Sequence, residues 1–453
     1  MSEELFAPIF IPDELRESTG GRAWLQSMLD AEAALARAES KVGLFSTDDA
    51  ETIAAHCDAS RFDVEGIGHA GRGPGSPVPP MVKALTESVR ETSKEAARHV
   101  HKGATSQDIL DTAAMLVFRR TTDIMLDGLD ALAAACARLA DGHRSTVMAG
   151  RTLMQQALPT TFGLKAAGWL VAVVEARHRL VYARAGLTAQ LGGAAGTLAS
   201  LGDDGLDVLR EYANELGLAE PVVPWHTSRA RVADLGNVLS TVAGVAGKVA
   251  LDIVLMSQTE VGEVSEPSGD GRGGSSTLPH KRNPVLSTVA IANARRVHSL
   301  ASTLHSAMFH EHERAAGAWH SEWEALSDAL ALSGGAVSAV REAVEGLEVH
   351  TEKMRRNLEI TGGLLLAENV TTKAAERLGR MKAHELVEAA ARRTMDNGTG
   401  FREELLADGE LREALSEEEM DDALEPENYL GSSGEFIERA LELCETEGIS
   451  WKR

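Results

Sequence analysis

The chain has 453 residues, 43% hydrophobic, 25% charged and only 4% aromatic, enough for two or three domains with a large core and ordinary for a soluble globular protein. Its formal net charge of −23 argues against a nucleic-acid partner, which needs a basic face. Cys57, Cys136 and Cys444 are far apart and follow no metal or redox spacing, so they read as buried thiols of a reducing, cytoplasmic protein. The opening MSEELFAPIF carries acids where a secretion signal needs cations. No run reaches ~18 consecutive apolar residues, so no membrane span is expected.

Along the chain, residues 1–105 hold short helical pieces, with one longer helix from about Ala23 to Val42 closed by Gly43. The stretch GRGPGSPVPP (71–80) is a loop of turn residues. From Ser106 a Pro-free helical pattern runs to about Gly142, with Thr105 or Ser106 as its N-cap. A second helix is expected over about 160–189, with Pro159 near its start. A Gly-rich stretch, 186–202, reads as loop. Further helices are expected over about 230–264, from near Pro284, and within about 323–349. Five long helices in succession indicate a bundle. The expected organisation is all-α, in three helical domains: 1–105, a central five-helix bundle 106–349, and a small C-terminal domain 350–453. Residues 401–428, with 12 acids and 2 arginines, read as the exposed face of that last domain.

The bundle helices are roughly 50 Å long at 1.5 Å per residue. In an up-and-down bundle, HKGATSQD (101–108) and WHTSRAR (225–231) then lie at one end. GRTLMQQALP (150–159) and the mobile, cationic GGSSTLPHKRNP (273–284) lie at the other. All four are polar or cationic, yet the ends are far apart. One site can use both only if a second copy packs antiparallel, so a homo-oligomer with shared sites is expected.

GSSTLPHKRNP resembles the signature loop of the fumarase/aspartase superfamily, G-S-S-x-M-P-x-K-x-N-P, with Leu278 in place of Met. GATSQDILDT is similar to that family's T-S-x-D segment, and GRTLMQQALPTTFG to its G-R-T-x-x-Q-x-A-x-P segment. Within the superfamily, PWHTSRARVADL, HEHERAAGAWHSEW and PENYLGSSGEFIERAL resemble the branch of 3-carboxy-cis,cis-muconate cycloisomerases. The resemblance spans essentially the whole chain. It implies an all-α, three-domain fold, a homotetramer with sites shared among three subunits, a small polycarboxylate substrate, and no cofactor.

The superfamily's reaction removes a proton beside a carboxylate while a group leaves the next carbon, or the reverse. That chemistry needs fixed donors and cations on the carboxylate and a base within reach. By resemblance Ser275 is the base, and its alkoxide must be favoured by neighbouring positive charge. Lys281 and Arg282 supply charge nearby, Ser276 and Asn283 bind substrate, and the flexible loop closes over the site. Thr105 and Ser106 are candidate carboxylate binders at a helix N-terminus; plain N-capping is the alternative. His101 is a candidate for proton transfer or carboxylate binding, with a purely structural role the alternative. Arg151, Thr152, Gln155 and Arg229 are candidate substrate contacts. In HEHER (310–314) the two histidines stand two apart, not the four of a helical zinc pair; no metal is expected, and Arg314 is the candidate carboxylate contact.

Two departures matter. Fumarase-like and adenylosuccinate-lyase-like chains carry an acidic His after G-R-T, where this chain has Leu153; the cycloisomerases lack that His too. Ser228 and Ala230 replace a Gln and an Asp of the H-x-Q-R-D-R form. A cycloisomerase is therefore expected. The alternatives are a β-eliminating lyase releasing fumarate from a substituted succinate, and a non-catalytic structural relative.

Overall fold

The computed structural model describes residues 5–267, 278 and 281–452. Among these the regular structure is helical apart from two two-stranded antiparallel ladders and isolated bridges, as an all-α fold requires. The long elements, in chain order, are α1 (Gly21–Val42), α2 (Ser106–Gly142), β1 (Val147–Thr152), β2 (Gln155–Thr161), α3 (Phe162–Ala185), α4 (Gly205–Leu216), α5 (Ala230–Met256), β3 (Val264–Ser265), α6 (Val285–Ser306), α7 (Ala318–Glu345) and β4 (Glu348–Val349). Gly43 closes α1 in the left-handed region, φ 92°, its N–H donating to the carbonyls of Glu39 and Ser40.

Two expected elements differ. Residues 147–161 form a β-hairpin ahead of α3, with Pro159 inside β2 opposite Ala149. A proline is tolerated there because neither strand of a two-stranded ladder is central. The helix expected over 230–264 ends at Met256, where Glu263 N–H donates to the Met256 carbonyl and Gly262 turns the chain at φ 58°.

By its contacts the chain divides into two compact units. The first comprises 1–129, 175–247 and 289–339. Here α5 and α6 approach closely: a Cβ at Gly236 would lie 2.9 Å from Leu304 Cδ1, and one at Gly247 2.9 Å from Ala294 Cβ. Glycine is needed inside a helix at these two places despite its low helix propensity. The second unit comprises 130–174, 248–288 and 340–453. In it, Val147 and Ala149 of the hairpin pack on Leu358, Leu365 and Leu366. A separate cluster of Val370, Val387, Phe401, Leu405, Leu411 and Met420 buries the apolar side of the acidic 401–428 stretch. Its charges pair outward, as in Arg377 with Glu419 and Arg402 with Asp421.

By length and composition α5 is apolar enough to cross a membrane. Its most apolar 18-residue window has a mean hydropathy of 1.8, and 44% of that window is buried within the chain.

Candidate active site

In the first unit the singled-out residues gather at the N-terminus of α2. Asp108, fully buried, ties the region together. Its Oδ2 accepts from Thr105 N–H at 2.9 Å, returning the helix cap. Its two oxygens also accept from Gly192 and Gly193 N–H, each at 2.9 Å, and Oδ1 accepts from His226 Nε2 at 2.6 Å. Arg314 lies against the same cap, donating to Thr105 Oγ1 at 3.1 Å and to the carbonyls of Ala194 and Gly193. Thr105, Ser106 and His101 are half-buried here.

His101 is held from two sides. Its backbone sits at φ 59°, uncommon for a residue with a side chain. Its Nδ1 lies 2.6 Å from Oε1 of Glu32, a buried carboxylate of α1. Burial opposes charge on this imidazole, but Glu32, and then Asp108, outweigh it and hold its pKa above the ordinary value.

Arg229, a candidate substrate contact, is deeply engaged within the chain. It is 3% exposed, and its guanidinium is taken up within the chain. Nη1 and Nη2 donate to Asp111 at 2.8 and 3.0 Å, Nε donates to Glu322 at 3.0 Å, and Nη2 also meets Glu322. Asp111 accepts further from Trp319 Nε1 and Gln107 Nε2. Both faces of its fork are thus occupied by carboxylates of the same chain. It holds α2, the start of α5 and α7 together, stacked on Trp225 at 5.0 Å. His310 joins this network, Nδ1 donating to the His226 carbonyl and Nε2 standing 3.4 Å from Glu322. Burial and the Arg229 charge hold its pKa below the ordinary value. His312 sits apart at φ 48°.

In the second unit the hairpin carries Arg151, Thr152 and Gln155. Arg151 forms a two-pronged ion pair with the fully buried Glu263, at 2.9 and 2.6 Å. Asn357 Nδ2 also donates to Glu263 at 2.8 Å, and Gln156 Nε2 donates to the Asn357 carbonyl. A carboxylate of the same chain therefore balances the charge of Arg151. Thr152 and Gln155 pair across a two-residue turn formed by Leu153 (φ 50°, 98% exposed) and Met154 (φ 68°, 71% exposed).

Lys281 is exposed and Asn283 half-buried ahead of α6. Arg282 is paired with Glu348 at 2.7 Å. Glu266 caps α6, accepting from Ser287 N–H at 2.7 Å and Leu286 N–H at 2.9 Å. Ser275 and Ser276 lie outside the described residues.

The sequence reading missed Glu32, Asp111, Glu322 and Glu263, the carboxylates that decide what each cation does. Asp108 was within reach, as the D of the T-S-x-D segment. A cavity of about 490 Å³ in the first unit is lined by Trp24, Met28, Ile67, Trp323 and others. None of the predicted site residues lines it, although Leu110 of α2 does.

A family described as Lyase matches residues 11–299, and Adenylosuccinate lyase C-terminus matches residues 363–440. The chain belongs to the fumarase/aspartase superfamily. As a member of that superfamily it is 45% identical to a 3-carboxy-cis,cis-muconate cycloisomerase of Bradyrhizobium diazoefficiens, over 97% of this chain and 98% of that one. It is 44% identical to a nitrosuccinate lyase of Streptomyces davaonensis, over 96% and 94%. The solved 3-carboxy-cis,cis-muconate lactonizing enzyme of Pseudomonas putida superposes with a TM-score of 0.93 at 42% identity, covering 98% of this chain and 99% of that one. The fold is thus fumarase/aspartase-like throughout.

Proposed function

We propose that the chain is a cofactor-independent cycloisomerase interconverting 3-carboxy-cis,cis-muconate and a carboxymuconolactone. In the closing direction, a substrate carboxylate oxygen adds to one carbon of a C=C bond while the neighbouring carbon, beside a carboxylate, gains a proton. In the opening direction that proton leaves and the C–O bond breaks. The attack is intramolecular, so positioning supplies much of the rate.

The observation that carries this reading is the hairpin tip. The position at which fumarase-like and adenylosuccinate-lyase-like chains carry an acidic His is Leu153, exposed and unable to give a proton. The relatives named as cycloisomerases, matched over nearly their whole length, support it. Ser275 is the proposed base at carbon, with Ser276, Lys281 and Asn283 holding carboxylate from the same loop. At the α2 N-terminus, Thr105, Ser106, Arg314 and His101 are the proposed carboxylate contacts, where backbone N–H groups and the helix dipole favour an anion. Thr152 and Gln155 are proposed contacts beside the tip.

We also propose that the chain works as a homotetramer with shared sites. An apolar α5, less than half of whose most apolar window is buried within the chain, supports a second copy as its cover. Three buried free cysteines support a cytoplasmic setting.

A second reading has one specific support, the 44% identity to a nitrosuccinate lyase: β-elimination releasing fumarate and nitrite. Purified protein offered each substrate separates the two. A cycloisomerase consumes the ultraviolet absorbance of the carboxymuconate diene and makes no nitrite from nitrosuccinate; nitrite release without diene consumption overturns the proposal. In Ser275→Ala, turnover is expected to fall by about 10² to 10⁴-fold with the fold retained, the usual contribution of a positioned acid or base; unchanged turnover removes Ser275 as the base.

A further inference from the structure

We infer that Glu32 is the positioning residue of His101, accepting from Nδ1 so that Nε2 is the nitrogen turned to the ligand. The inference rests on the reading of His101 as a site residue. It names a partner 69 residues upstream, on a helix that carries none of the superfamily's signature segments.

Three observations meet at this pair. Glu32 is 1% exposed on α1 and its Oε1 lies 2.6 Å from Nδ1. Its other oxygen, Oε2, is buried without a hydrogen-bond partner among the described residues. A buried carboxylate with a single partner is a poor stabilising device by itself, but it fixes the tautomer of the imidazole it meets. The His101 backbone is in the left-handed region at φ 59°, so the ring is aimed by its main chain as well as by its partner. Strain of this kind collects where geometry serves a ligand. His101 also keeps a fifth of its side chain open while Glu32 has almost none, so the ring forms the outer member of the pair.

The groups acting on His101 are Glu32 from α1 and Asp108 from the first turn of α2. Lys102, next in its own loop, and Glu39, two turns along α1 from Glu32, act on each other, and Glu32 acts on Glu39. With Glu32 in place the imidazole holds its proton to higher pH and presents an N–H to a substrate carboxylate. Without Glu32, burial is opposed only by the smaller pull of Asp108 and the proton leaves at lower pH. The ligand-binding form is therefore present below the raised pKa and lost as pH rises through it.

The test is modification of intact protein by diethyl pyrocarbonate, which attacks neutral imidazole, across a pH series and read on His101 by fragment mass. In wild type the midpoint is expected above that of an ordinary imidazole. Glu32→Gln should lower it by a pH unit or more, about a tenfold change in proton affinity. Glu32→Asp, which keeps the charge but shortens its reach, should lower it less, and it carries the test if the Gln variant fails to fold. A midpoint unmoved in a folded variant overturns the inference, whatever the activity. The same preparations are assayed for carboxymuconate turnover. A lowered midpoint with a higher KM supports both the inference and the site. A lowered midpoint with turnover and KM intact upholds Glu32's hold on the ring and removes His101 from the reaction.

Discussion

The two units each hold an arginine that the sequence offered as a substrate contact, and each answers it with carboxylates, but in opposite surroundings. Arg229 is sealed between Asp111 and Glu322, all three side chains at 4% exposure or less. Arg151 grips a buried Glu263 while its own side chain stays 27% exposed. The first is a brace between helices; the second is a clamp under a hairpin. The difference shows that positive charge in a signature segment is not the same as positive charge offered to a ligand. At the α2 end, Arg314 meets only neutral oxygens, of Thr105, Gly193 and Ala194. On the hairpin, the outermost side chains are the apolar pair Leu153 and Met154.

The largest expected effect tests that contrast directly. Arg229→Met leaves two buried carboxylates facing each other without their cation, and should destabilise the protein by about 3–5 kcal/mol. Arg151→Met should lose less, about 1–2 kcal/mol, because Asn357 still donates to Glu263 and solvent reaches the open side. Chemical denaturation of the two variants checks this. Equal losses would erase the distinction between brace and clamp. A stable Arg229→Met with a raised KM would restore Arg229 as a substrate contact.

A second test uses pH. Glu39 of α1 is fully buried, with both carboxyl oxygens lacking hydrogen-bond partners among the described residues. Burial pushes its pKa up to about 8, with Lys102 opposing and Glu32 adding to the rise. Its folded pKa lies above the unfolded value, so the folded state binds the extra proton. This contribution is whole below the ordinary carboxylate range, and falls as pH rises from there to about 8. Glu39→Gln removes the penalty, and the expected gain at pH 8 is a few kcal/mol, on the order of 1.4 kcal/mol for each tenfold change in proton affinity between the folded and unfolded chain. Melting temperatures at pH 5 and pH 8 check it: the variant should gain at pH 8 and little at pH 5. A uniform loss at both would mean the protonated carboxyl makes contacts that an amide cannot.

Much of this was legible in the chain, and the illegible parts share a cause. The bounds of α2 followed from the Thr105 cap and the Pro-free run to Gly142, and the C-cap of α1 followed from Gly43, because those signals are local. The hairpin did not announce itself: its two-residue turn is Leu-Met, where a turn of this kind normally carries Asn-Gly. The partners of Arg229 and Arg151 were not legible, because each pairs with carboxylates that only folding brings near. Asp111 and Glu322 lie 118 and 93 residues from Arg229, and Glu263 lies 112 from Arg151. Glu32 carried one hint, an acid within the alanine-rich buried run of α1, and nothing in the sequence names its partner.

The hairpin tip offers the smallest effect and the sharpest question. Leu153 and Met154 both occupy the left-handed region, which costs roughly 1–2 kcal/mol for a residue with a side chain, and both stand in solvent within the chain. Neither burial nor turn preference favours these residues. Replacing the pair with Asn-Gly should therefore stabilise the hairpin by about 1–2 kcal/mol, since that pair suits a two-residue turn. If the tip reaches into a shared site, carboxymuconate turnover should fall in the same variant, with its mass in solution by light scattering unchanged from the wild type. A variant both more stable and fully active would show the tip to be idle. That result would place the substrate-shaping part of the hairpin at Thr152 and Gln155 instead.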